Sequence, residues 1–195
     1  MEEQTLIFIT GGARSGKSTF AEKIVSNLSS DCGGNLHYIA SCKPLDHEMK
    51  NRINLHKKQR EESGVHWKTW ECPLDLRSIA PSFQTGDIVL LDCLTILLSN
   101  ELFRDRYLES SWNNKEHQEL VIQSILKGID DIRENSKALV IVSNEVLNEQ
   151  IIDRSLVQTY GRLLGYLHQQ FVKKASRAYV VEAGIPVLMK GGSVR

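Results

Sequence analysis

The sequence predicts an α/β fold, a mostly parallel sheet flanked by helices on both faces. Two observations point there. Short continuous apolar runs, such as Leu6-Ile7-Phe8-Ile9, Val89-Leu90-Leu91 and Leu139-Val140-Ile141-Val142, read as strands buried on both faces. Between them lie longer segments whose apolar residues recur at helical spacing. A length of 195 residues, 41% of them hydrophobic, suits one domain over residues 1–195 with one core that needs no disulfide or metal to fold.

Residues 5–10 form the first predicted strand and end in Gly11-Gly12, a tight turn. A helix follows over residues 17–28, with Phe20, Ile24 and Leu28 on one face. Residues 36–40 make a second strand, and residues 46–60 a second helix capped by Asp46. The stretch 64–82 has no clear period and reads mostly as loop, with a short strand near 67–70. Residues 87–92 are an apolar strand closed by a carboxylate. Helices are predicted over 95–103 and over 112–133, the latter with Leu120, Ile125 and Ile129 inward. Residues 138–143 are a buried strand leading to Asn144-Glu145. Residues 153–175 place Leu156, Tyr160, Leu163, Leu164, Leu167 and Phe171 at helical spacing, and strands at 179–181 and 186–189 finish the chain.

Composition narrows the partners. The 24 Lys+Arg balance 24 Asp+Glu, which removes the electrostatic footprint of a protein that binds long nucleic acid or an anionic membrane. Mean hydropathy is −0.27, and no run of about 18 apolar residues occurs, so membrane insertion is not expected. The acidic start Met1-Glu2-Glu3 suits neither a secretory signal nor a transit peptide, and the expected compartment is the cytoplasm. Cys32, Cys42, Cys72 and Cys93 contain no CxxC pair and are read as free thiols.

Ligands of parallel sheets bind at the carboxyl ends of strands. That directs attention to the turn after the first strand, to Ala40, Ser41 and Cys42, to Asp92, and to Asn144-Glu145. Gly11-Gly12-Ala13-Arg14-Ser15-Gly16-Lys17-Ser18 satisfies G-x-x-x-x-G-K-[ST] between a predicted strand and a predicted helix. Its glycines let backbone N–H groups approach phosphate oxygens, and the helix N-terminus adds partial positive charge. Lys17 is placed to reach the β/γ-phosphates and Ser18 to hold Mg²⁺; Asp92 is either the second Mg²⁺ carboxylate or a cap for the helix that follows, and Arg14 either a phosphate contact or a surface residue. The fold class becomes P-loop NTPase-like. A guanine-reading N-K-x-D is absent and the chain is short for a motor, which leaves a small-molecule phosphotransferase.

The predicted helix over 46–60 adds a histidine among cations. Leu45, Met49, Ile53 and His56 share one stripe, with Arg52, Lys57 and Arg60 close by. Two readings stay open at this point. His56 is either a half-buried structural histidine with a solvated basic tail, or a neutral imidazole kept uncharged by neighbouring cations and able to attack phosphorus.

The chain resembles the bifunctional adenosylcobinamide kinase / adenosylcobinamide-phosphate guanylyltransferase family. The resemblance rests on Thr10-Gly11-Gly12-Ala13-Arg14-Ser15-Gly16-Lys17-Ser18, Tyr38-Ile39-Ala40, the segment 46–57 with Arg52-Ile53 and His56-Lys57, and His66-Trp67-Lys68-Thr69 with Glu71. It continues through Leu90-Leu91-Asp92-Cys93-Leu94-Thr95, Val142-Ser143-Asn144-Glu145-Val146, Gly161-Arg162 and Gly184-Ile185-Pro186-Val187. It implies phosphorylation of a corrinoid, adenosylcobinamide, with ATP or GTP. It further implies transfer of GMP from GTP through a GMP-histidine at His56, and a ring-like homo-oligomer, a trimer. By the same resemblance Ala40, Ser41, Cys42, Lys57, Lys58, Gln59, Arg60, Glu71 and Asp92 contact the nucleotide. Departures are Leu55 where many members carry a second histidine, extra residues near Glu61 to Gly64, and Asp92 where some members have Glu.

A kinase with one activity, or a nucleotide-binding regulatory module without turnover, are the alternatives. His37, His47, His66, His117 and His168 are read as structural or solvated, and Glu145 as a substrate or metal contact or a strand-end cap.

Overall fold

In the computed structural model, residues 4–42, 66–104, 111–145 and 154–192 are described. The strands are β1 (Thr5–Thr10), β2 (Leu36–Ala40), β3 (Trp67–Glu71), β4 (Ile88–Asp92), β5 (Ala138–Val142), β6 (Arg177–Glu182) and β7 (Ile185–Lys190). The helices are α1 (Lys17–Cys32), α2 (Leu94–Leu102), α3 (Lys115–Glu134) and α4 (Arg154–Lys174). The strands form one sheet in the order β3-β2-β4-β5-β1-β6-β7, parallel throughout except for β7, which runs antiparallel to β6.

The apolar runs behave as fully buried strands should. Leu6 to Ile9, Ile88 to Leu91 and the whole of β5 are buried, their side chains divided between two cores. On one face Leu6, Phe8, Val89, Leu91, Leu139 and Ile141 meet α2, α3 and α4. On the other, Ile7, Ile9, Leu90, Val140 and Val142 meet Ala21 and Val25 of α1. Each such side chain removed from water stabilises the fold by about 1.5–3 kcal/mol. Burial on both sides explains the absence of polar alternation in these strands.

Two expectations need correction. Leu120 is 65% exposed, because the buried stripe of α3 runs through Gln118, Val121, Ile122, Ile125, Ile129 and Ile132. Position 120 lies five residues before Ile125, about 140° around the helix, while 121 and 122 lie on the stripe. The stretch 64–82 is also more ordered within its described part than its composition suggests. Two 3₁₀ turns, Leu76–Ser78 and Ala80–Ser82, bury Leu76 and Ala80 against α3. Gly128 permits that approach, since a Cβ there would sit 2.9 Å from the Leu76 Cβ. The helix expected over 46–60 lies outside the described residues.

Candidate active site

β1 delivers the chain into the glycine-rich loop, and α1 leaves it. Gly16 caps α1 with φ 90°, a left-handed conformation that glycine adopts without strain. The Phe20 N–H closes the first helical bond onto the Gly16 carbonyl, and the Ser15 N–H bonds to the Gly12 carbonyl. Lys17 is 5% exposed, and its ammonium donates to the Gly12 carbonyl at 2.9 Å, across the mouth of the loop. The Ser15 and Thr10 hydroxyls are buried and have no hydrogen-bond partner among the described residues. An orphaned hydroxyl inside the loop suits an incoming phosphate oxygen. The loop is braced from the β6 side: the Gly184 N–H bonds to the Ser15 carbonyl at 2.9 Å, and a Cβ on Gly11 would lie 2.3 Å from the Val181 carbonyl oxygen.

The other described candidates gather at the same carboxyl edge. In register, Glu71 of β3 pairs with Ala40 of β2, Ala40 with Asp92 of β4, Asp92 with Val142 of β5, and Val142 with Ile9 of β1. Glu71 is exposed, and it lies four strand spacings from β1, about 19 Å. Asp92 is half-buried, and Tyr38 donates its hydroxyl to the Asp92 carboxylate at 3.3 Å. Ser18, on the first turn of α1, is half-buried, and Cys42 is likewise intermediate. Ala13 and Arg14 are exposed on the loop, Arg14 at φ 58°. His56, Lys57, Lys58, Gln59 and Arg60 lie outside the described residues.

Ser41 is fully buried, and its hydroxyl is engaged twice. It donates to the Cys93 carbonyl at 2.8 Å and accepts from the Cys93 N–H at 2.7 Å, tying the tip of β2 to the exit of β4. The Asp92-Cys93 peptide is cis. Burial, with the neighbouring Asp92 charge, pushes the Cys93 thiol up to about 12, so it stays protonated. Cys42, Cys72 and Cys93 form no disulfide among the described residues.

Sequence reasoning missed a polar layer beneath these tips. The Asn144 N–H donates to the Thr95 hydroxyl at 2.7 Å, Thr95 and Ser143 share a hydrogen bond at 3.1 Å, and Ser143 meets His168 Nε2 at 2.8 Å. Tyr160 donates to the Thr95 carbonyl at 2.6 Å. With one proton per hydroxyl, the arrangement that satisfies every group runs Thr95 to Ser143 to an unprotonated His168 Nε2. Burial against Phe8 lowers the His168 pKa to about 4. His37 is also structural: it receives the Trp70 indole N–H on Nδ1 at 3.0 Å and faces Asp87 at 3.1 Å, with burial lowering its pKa. His117 lies 3.2 Å from the Leu102 carbonyl, and His66 is exposed. The spacing of Ser143 and His168 carried no signal, because residues 25 apart meet only through the packing of α4 on the sheet.

A glycine loop that turns a buried parallel strand into a helix, with a carboxylate two strands away at the same edge, defines a P-loop NTPase-like protein. The flagellar accessory protein FlaH from Methanocaldococcus jannaschii has the same fold, with a TM-score of 0.52 at 12% identity over 98% of this chain and 80% of that one. The chain belongs to the cobinamide kinase / cobinamide phosphate guanyltransferase family, whose model matches residues 7–189. It is 30% identical over 193 residues to the bifunctional adenosylcobalamin biosynthesis protein CobU of Escherichia coli strain K12, covering 95% of this chain and 99% of that protein. It is 33% identical over 184 residues to the corresponding CobP of Pseudomonas aeruginosa, covering 94% and 96%. Among the described residues, no helix is long and apolar enough to cross a membrane.

Proposed function

We propose that this chain phosphorylates adenosylcobinamide with ATP or GTP, then transfers GMP from GTP to adenosylcobinamide phosphate, giving adenosylcobinamide-GDP and pyrophosphate. The observation that carries the reading is the phosphate loop at the end of β1 sharing one sheet edge with Ala40, Glu71 and Asp92, in a chain of this family. Gly11, Gly12, Ala13, Arg14, Ser15, Gly16 and Lys17 hold the phosphates; Ala40, Cys42, Glu71 and the segment Lys57, Lys58, Gln59 and Arg60 hold the rest of the nucleotide, whereas Ser41, expected to contact it, is fully buried with its hydroxyl engaged by Cys93 and supports the site from beneath. Ser18 and Asp92 are hard oxygen donors of the kind Mg²⁺ takes, and when bound the ion neutralises charge on the phosphates. The same proposal makes residues 1–195 one catalytic domain in the cytoplasm. Exposed Ile185, Val187, Leu188 and Met189 along β7 support a homo-oligomer, a trimer in this reading.

In the first transfer the corrinoid's hydroxyl oxygen attacks the γ-phosphorus and the nucleoside diphosphate leaves. In the second, a neutral His56 nitrogen attacks the α-phosphorus of GTP and pyrophosphate departs with the electron pair of the broken P–O bond. A phosphate oxygen of the corrinoid then displaces His56 from the P–N bond. The protein's contribution is positioning and charge neutralisation.

Incubation with α-labelled GTP and Mg²⁺ followed by denaturation tests the reading. Acid-labile, alkali-stable label is expected on the wild-type protein and none on His56→Ala. No label on wild-type protein, or equal label on the variant, overturns the histidine mechanism. Phosphorylation without guanylylation would leave a simple kinase, and neither activity a binding module.

A further inference from the structure

Beside the phosphate loop, on the side of β6 and away from Asp92, lies a cavity of about 420 Å³. One wall is Gly12, Arg14 and Ser15, and facing them are Val181 and Glu182 at the end of β6, with Glu145 from the exit of β5. The walls are fixed to one another by the backbone. The Ser143 N–H bonds to the Ile9 carbonyl at 2.9 Å and the Glu145 N–H to the Gly11 carbonyl at 3.1 Å, so β5 continues its pairing with β1 into the loop. The Gly184 N–H ties the β6–β7 turn to Ser15 from the other side.

We infer that this cavity is the subsite for the alcohol that accepts the γ-phosphoryl group, and that Glu145 is the catalytic residue receiving its proton. The inference rests on the reading above, in which the nucleoside extends over Ala40, Glu71 and Asp92. Attacking and leaving oxygens lie roughly in line through the transferred phosphorus. With the leaving diphosphate directed toward β4 and β2, the attacking oxygen approaches from the opposite side, where the sheet continues into β6 and the cavity opens. Charge points the same way. Two carboxylates, Glu145 and Glu182, against one cation, Arg14, on the loop side, leave the far wall of the pocket acidic, which disfavours a second phosphate there and attracts a hydroxyl donor. Glu145 is exposed at the mouth, where a side chain can meet substrate. In the transfer the alcohol oxygen forms a bond to the γ-phosphorus, the bond from that phosphorus to the β,γ-bridging oxygen breaks, and the diphosphate takes the electron pair. The hydroxyl proton passes to the Glu145 carboxylate.

The test is Glu145→Gln, assayed for transfer from γ-labelled ATP to adenosylcobinamide, for nucleotide affinity, and for GMP transfer to adenosylcobinamide phosphate made separately. Positioned proton transfer contributes about 10²–10⁴-fold. Kinase kcat is therefore expected to fall at least about 100-fold, with the alcohol KM, nucleotide Kd and melting temperature little changed and guanylylation within about threefold. Kinase kcat within about fivefold of wild type overturns the proposal, as does a loss located in nucleotide Kd, which would make the pocket a nucleotide contact. Absence of kinase activity in the wild-type protein overturns the parent reading instead, and this one with it.

Discussion

The buried His168 makes the stability of this protein depend on pH in a way that can be worked out in advance. Its pKa is lowered from 6.5 to about 4, and the cause is burial. Between those values the unfolded chain binds a proton that the folded chain refuses, so stability rises with pH across the window. The contribution is complete above about pH 6.5 and is lost as pH falls toward 4. From the two pKa values the loss is ~2 kcal/mol at pH 5 relative to pH 7.5, and ~3 kcal/mol below pH 4. For a domain of this size ~2 kcal/mol corresponds to ~4–8 °C in melting temperature. His168→Gln retains an amide that can meet the Ser143 hydroxyl but does not titrate. Urea unfolding of both proteins at pH 7.5 and pH 5 gives the answer as a double difference, in which lost packing against Phe8 and the titration of His37 cancel. The variant should lose ~2 kcal/mol less than wild type on acidification. Equal losses, within about 0.5 kcal/mol, would mean that His168 is protonated in the folded state and that the hydroxyl relay is wrongly oriented.

Three substitutions probe the site. Lys17→Ala removes the ammonium that spans the loop mouth, and nucleotide affinity by calorimetry should fall ~10–100-fold, with both transfers impaired; full guanylylation in this variant would indicate a second nucleotide site. Gly11→Ala drives a Cβ to 2.3 Å from the Val181 carbonyl oxygen, which should cost ~1–3 kcal/mol in urea unfolding and weaken nucleotide binding; unchanged values would refute the tight contact. Ser41→Ala strands the N–H and carbonyl of Cys93 in a dry interior, an expected loss of ~1–3 kcal/mol, and a loss under about 0.5 kcal/mol would show that water replaces the hydroxyl.

What the sequence disclosed and what it hid divide along a physical line. The central strands β1, β4 and β5 were legible because burial on both faces leaves unbroken apolar runs, and the loop because phosphate binding demands glycines, lysine and a hydroxyl at fixed spacing. Ends were less legible: α1 runs to Cys32 with Gly33 as its cap, four residues past the expected stop, because Ser29, Ser30 and Asp31 blur the periodic signal. The helix α3 begins at Lys115 behind an Asn114 cap, three residues later than expected, since its first apolar residue, Trp112, belongs to a 3₁₀ turn. Contacts made by distant residues could not be read at all. Nothing local to Ser41 marks it as the tie between β2 and β4, and although the strand-end rule put Glu145 on the ligand edge, nothing local to it shows its N–H bonded to the Gly11 carbonyl of the loop.

Those distant contacts matter to the chemistry because they lie directly beneath it. Ser41 joins β2 to the exit of β4, Thr95 and Ser143 join α2 to β5, and Tyr160 and His168 fasten α4 to both. In net terms such hydrogen bonds contribute only about 1 kcal/mol each, yet each leaves a costly unpaired group if broken. A layer of this kind therefore does less for overall stability than for the choice of one arrangement of the strand tips. Transfer between bound phosphates depends on that choice, since a displacement of ~1 Å at the reacting groups costs ~100-fold in rate. Substitutions in this layer should accordingly reduce kcat by more than their effect on unfolding would suggest, while substitutions in the apolar cores on either side of the sheet should do the reverse.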